Sequence, residues 1–147
     1  MTIQERIDEL QEARKMRILW QERENFLSRP IVQDLTMIDE LWRRAFANKP
    51  NVRQRKAFVF VVLYFFSPSK LAGGKIIRQV MQKLSRITGC TKSVLSHNCD
   101  DVVMHYHLYR DFRQRVKKVA DVLVELLMEK GYSEEDFLCI YEIGQET

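Results

Sequence analysis

The side chains best placed for chemistry stand in one stretch near the middle of the chain, Thr91-Lys92-Ser93-Val94-Leu95-Ser96-His97, just after Gly89-Cys90. With Thr91 as N-cap, a helix beginning here turns Lys92, Ser93, Ser96 and His97 outward, and its first amide donors favour an anion. Lys75, Arg78, Lys83 and Arg86 on the preceding segment add positive charge. Cations and hydroxyls gathered at a helix start suit contacts to phosphate oxygens. The expected chemistry is therefore binding.

Other reactive side chains lack the company that catalysis needs. His97, Asp101 and His105 form one helical stripe, but the two histidines would be about 12 Å apart along the axis, too far to share an ion. Cys90, Cys99 and Cys139 are an odd number at unrelated spacings, with no zinc pattern or disulfide framework. Cys99 and Cys139 read as packing residues, and reduced thiols in a cytoplasmic protein are the expectation. Gly73-Gly74-Lys75-Ile76 lacks the first Gly and the final Ser or Thr of a phosphate loop. With no triad or supported carboxylate pair, neither an enzyme, a metal nor a cofactor is predicted.

Charge sharpens the binding expectation. The 147 residues carry a net +4, distributed unevenly. Residues 1–50 balance nine basic against nine acidic side chains, residues 51–118 reach +11, and residues 119–147 fall to −7. A middle segment this basic attracts a polyanion, nucleic acid being the commonest inside a cell. The competing reading is a solvated helical surface docked on the chain's own acidic tail.

The elements that must position these groups read as helices. Five Gly and three Pro are too few for a sandwich or barrel, and a 46% hydrophobic content supplies a core. Residues 3–27 predict one long helix with a narrow apolar stripe, Ile3, Ile7, Leu10 and Ala13 with Trp20 further on, suited to a partner helix or a second copy. A second helix is expected from Ile31 to Phe46. The run from Phe58 to Phe66 is about half a membrane span. With no strand partner in sight it reads as a central buried helix over 52–66. Ile76, Ile77, Val80, Met81, Leu84 and Ile87 predict a helix from Lys75. Val94, Leu95, Val102, Val103 and Tyr106 give the core face of the next one. Phe112, Val116, Val119, Ala120, Leu123, Leu126 and Leu127 give another, ended by Gly131. Trp42, like Trp20, reads as a core or interface anchor. A short acidic helix is expected from Ser133.

The fold class predicted is thus all-α: a multi-helix bundle containing a helix-turn-helix, with a long N-terminal helix. Residues 1–50 form an extension suited to oligomerisation, 51–130 the core unit, and 131–147 the acidic end. Ser85, Gly89 and Leu95 occupy the small, turn and locking positions that a helix-turn-helix needs, and its second helix enters the major groove. The stretch Thr91 to His97 resembles the Thr-Thr-Val-Leu-His stretch in the DNA-binding C-terminal domain of the bacterial replication initiator, of the Trp-repressor-like group. The resemblance extends loosely over residues 53–127 and implies duplex DNA as ligand, with Lys92, Ser93 and His97 touching it. Cys90-Thr91 replaces the initiator's Asp-His pair, so its target sequence does not carry over, and no nucleotide-binding loop accompanies the motif. The chain's make-up also resembles accessory proteins of phages and mobile elements.

Asp100 complicates this picture. It shares the outward face with Ser93, Ser96, His97, Met104 and His107, where a carboxylate repels phosphate unless it accepts from a cytosine amino group. The rival expectation is a helical protein–protein interaction module that binds no nucleic acid. A homodimer through residues 3–27 fits either reading, and no membrane segment is expected.

Overall fold

A computed structural model describes residues 1–133, and the helix expected from Ser133 onward, with Cys139, lies outside the described residues. The described chain is all-α, with six helices, one 3-10 turn and no strand. Among the described residues no helix is long and apolar enough to cross a membrane.

Helix α1, Ile3–Leu27, starts on a reciprocal cap. Thr2 Oγ1 accepts from the Glu5 amide at 3.1 Å, and Glu5 Oε2 accepts from the Thr2 amide at 3.0 Å. None of its residues is buried. Ile3, Ile7 and Leu10 share a face, but ten residues at about 100° each carry Trp20 roughly 80° round from Leu10. Trp20 falls only about 20° from Ala13, so the stripe slants round the helix rather than running straight, and Trp20 is 58% exposed.

The chain then returns to the body. The Ile31 and Val32 amides donate to the Phe65 carbonyl at 2.8 and 3.0 Å. These bonds hold residues 31–35 off the helical path, so α2 runs Thr36–Ala45 rather than from Ile31. Asp34 Oδ1 accepts from the Thr36 amide at 3.0 Å and its hydroxyl at 2.7 Å. Those donors favour the carboxylate and hold its pKa below the ordinary value. Met37, Ile38 and Leu41 are buried. Residues 36–45, grouped by sequence with the N-terminal extension, thus share the core of the 51–130 unit.

Helix α3, Val52–Phe66, is the centre of that core. Asn51 and Gln54 cap it reciprocally, and nine of its fifteen residues are buried. Helices α4 (Arg78–Thr88), α5 (Lys92–Leu108) and α6 (Arg110–Glu129) pack around it, while α2 closes on α4 and α6. Trp42 anchors that closure, its ring 4.9 Å from Phe58 and 5.2 Å from Phe46 in edge-on contacts. Arg44–Glu129 at 2.7 Å and Lys130–Glu40 at 3.3 Å add ion pairs between α2 and the end of α6.

Two expectations about the middle helices need correction. Helix α4 begins after Ile77, not at Lys75. Ser67 Oγ accepts from the Ile77 amide at 2.9 Å, and Ser69 Oγ donates to the Lys75 carbonyl at 3.1 Å. Residues 75–77 are strapped to the 3-10 turn Pro68–Ala72 and cannot coil. Val94 is 41% exposed rather than core. The inward face of α5 is Leu95, Asn98, Cys99 and Val102, and Val94 lies one residue, about 100°, off it.

Candidate functional site

The joint between α4 and α5 is built by local hydrogen bonds. Gly89 closes α4 at φ +71°, a conformation that disfavours any residue with a Cβ. Its amide donates to the Ser85 carbonyl at 3.1 Å, and Ser85 Oγ donates to the Cys90 carbonyl at 2.8 Å. Thr88 Oγ1 donates to the Leu84 carbonyl at 2.7 Å and accepts from the Cys90 amide at 3.2 Å. Thr91 then caps α5, its Oγ1 accepting from the Val94 amide at 3.2 Å. Leu95, fully buried one turn on, seats the new helix against the core. Every residue from Ser85 to Leu95 that the sequence singles out for this turn is used to shape it.

Beyond that turn the tip of α5 is open. Thr91, Lys92, Ser93, Ser96 and His97 are all exposed, as are Lys75, Arg78 and Arg86. Among the described residues none of Lys75, Arg78, Arg86 and Lys92 has a carboxylate within ion-pair distance. Lys75 lies on the strap before α4 and Arg78 in its first turn, so both stand at the end of α4 away from the joint, about 15 Å along the axis from Thr88, while Arg86 sits in the last turn beside it. Lys83 does not belong to the set, because it pairs with Asp39 of α2 and is largely covered.

The carboxylates on α5 are also engaged. Asp100 pairs with Lys70 of the 3-10 turn at 3.6 Å, and Asp101 with Lys56 of α3 at 3.5 Å. Asp100 therefore stands on the outward face with a counter-charge beside it, a pairing invisible in the sequence because it crosses elements. Of the stripe His97, Asp101 and His105, the first is exposed, the second is held by Lys56, and the third packs edge-on against Phe112 at 5.7 Å. Among the described residues no group of three or more His, Cys, Asp or Glu could hold a metal ion. Cys99 is buried, which pushes its thiol up to about 11. It therefore stays protonated at neutral pH, a packing group rather than a nucleophile.

No protein-family model, curated protein or solved structure matches this chain. What the geometry defines is an all-α bundle with an exposed, positively charged helix tip at the α4–α5 joint.

Proposed function

We propose that this is a small DNA-binding protein, regulatory or accessory in role, in which α4 and α5 act as a helix-turn-helix and α5 enters the major groove of a duplex. The observation that carries the reading is the uncovered start of α5, with Lys92, Ser93, Ser96 and His97 exposed and no carboxylate among the described residues paired to its cations. Lys92, Ser93, Ser96 and His97 face the base edges, while Thr91, Lys75, Arg78 and Arg86 address the phosphates on either side. The resemblance to the replication initiator's DNA-binding domain supports the same assignment. The Lys70–Asp100 pair reduces the repulsion that Asp100 would otherwise exert on the backbone.

Binding to mixed-sequence duplex, measured across salt concentrations, tests it. Several phosphate contacts predict a steep log–log decline in affinity. Lys92→Ala should weaken binding severalfold and flatten the slope by about one, whereas Glu125→Ala on α6 should leave both unchanged. Absence of binding at low salt, or equal effects of the two substitutions, overturns the proposal.

A second reading, a helical interaction module, is favoured by one observation: α1 has 25 residues and buries none of them. A helix with no buried residue draws little stability from packing, and a partner helix or a second copy adds what is missing. Homodimerisation through α1 is compatible with DNA binding, since paired readers span palindromic sites. Sedimentation across protein concentrations separates a dimer, which gains mass, from a monomer, which does not.

A further inference from the structure

The opposite end of α5 carries a second positively charged region, and its shape differs from the tip. A cleft of about 550 Å³ opens where the start of α3, the end of α5 and the start of α6 meet. Arg53, Lys56 and Arg115 supply cations to its lining, against the single carboxylate of Asp111. Lys56 is partly neutralised by Asp101 at 3.5 Å. Among the described residues Arg53 and Arg115 have no such partner. Like charges gathered in a concavity with low-dielectric walls repel one another and focus a positive potential, which an anion relieves.

Apart from Val52, the remaining lining is aromatic. His105 lies 5.4 Å from Tyr109 and 5.7 Å from Phe112, centroid to centroid. Phe112 is only 5% exposed and so forms a fixed back wall, whereas Tyr109 is 55% exposed at the rim. Tyr109 is also the N-cap of α6 and makes no side-chain capping bond there. The first amides of α6 therefore lack a side-chain acceptor beside this lining, which adds to its preference for negative charge. A volume of this size falls within the range of small-molecule pockets.

We infer that this cleft binds a single nucleotide, with its phosphate between Arg53 and Arg115 and its base against Tyr109 and His105. Guanidinium groups match phosphate oxygens in bidentate geometry, and an exposed ring beside them offers a stacking face. The tip of α5 presents Lys92, Ser93, Ser96 and His97 on an exposed helix start, which suits a duplex backbone, whereas the cleft suits one nucleotide at a time. This inference does not depend on the duplex proposal. The nucleotide can come free from solution or as an unpaired unit of a strand.

Titration of the full chain, following the ring resonances of His105 and Tyr109, tests it with AMP, adenosine, inorganic phosphate and a single-stranded deoxyadenosine hexamer. AMP should saturate those shifts with an affinity at least tenfold above adenosine or inorganic phosphate. Arg53→Gln should reduce AMP affinity about tenfold; since Arg53 is exposed in the first turn of α3, the fold survives the change. Tyr109→Leu should weaken AMP but leave inorganic phosphate unaffected. Lys92→Ala should change none of these values, which separates this site from the tip. A hexamer that saturates the shifts below AMP identifies a strand as the source, and the reverse order identifies free nucleotide. No saturable shift with AMP or hexamer, or equal binding of AMP and inorganic phosphate, overturns the inference.

Discussion

Helices α1 and α3 reach the same backbone geometry by opposite means. Helix α3 is a run of Val and Phe, residues that form isolated helices poorly, yet nine of its fifteen positions are buried among α4, α5 and α6. Helix α1 is rich in Glu, Gln, Arg and Leu and carries a reciprocal cap, yet none of its 25 positions is buried. One helix is held by what surrounds it, the other by its own composition and ends. The lesson is that helical sequence and structural stability are separate properties, and that α3 should open only with the whole domain while α1 frays alone.

The sharpest way to break that contrast is to shorten one apolar side chain on each. Phe58 is fully buried against Trp42 and Phe46, so Phe58→Ala should cost about 3–5 kcal/mol in urea unfolding. Leu10 is 64% exposed, and Leu10→Ala should stay within about 0.5 kcal/mol. Amide exchange should agree, with α3 protected to the global limit and α1 exchanging early. A Leu10→Ala loss of about 2 kcal/mol or more would mean that α1 is packed in solution, as a dimer through this helix requires.

A smaller effect comes from Cys99, on the face of α5 that packs toward α3. Burial raises its thiol from 9.0 to about 11 in the folded protein. Between those values the unfolded chain releases a proton that the folded chain keeps. The stability Cys99 contributes is thus complete below pH 9 and is lost as pH rises toward 11. The size of the loss is at most about 3 kcal/mol, two pH units at about 1.4 kcal/mol each. Urea midpoints on either side of that window should fall in the native protein, and Cys99→Ala should fall by correspondingly less. Equal slopes for the two proteins would show that the thiol is reached by water, and that the buried face of α5 is looser than its packing implies.

These contrasts also explain what could be read in advance. All seven inward positions expected on α6, from Phe112 to Leu127, are buried, because a period of three and four residues needs no knowledge of partners. The burial of α3 followed from the lack of any strand partner. The start of α4 did not, because Ser67 and Ser69 divert residues 75–77 by bonds from outside the segment. The outward stretch from Thr91 to His97 was legible from the cap and the wheel. The pairings of Asp100 with Lys70 and Lys83 with Asp39 were not, since each crosses elements. The cleft was hidden for the same reason, as Arg53 and Arg115 are brought together only when α6 packs along α3.

A smaller loss than that at Phe58 or Cys99 is expected at Gly89, where local and tertiary control meet. Its φ of +71° belongs to the left-handed region, and a Cβ built there would meet no atom within 4 Å. Any penalty for a side chain is therefore conformational rather than steric crowding by neighbours. Gly89→Ala should cost about 1–2 kcal/mol, and Gly89→Asn less, because asparagine tolerates this region. If urea unfolding gives that order, the angle between α4 and α5 is fixed by the backbone of the turn together with Ser85 and Thr88. If Ala is tolerated without loss, the turn can relax, and the exposure of the α5 tip is set by the seating of Leu95 in the core instead. That outcome would move control of the joint from the kind of local device that sustains α1 to the kind of packing that sustains α3.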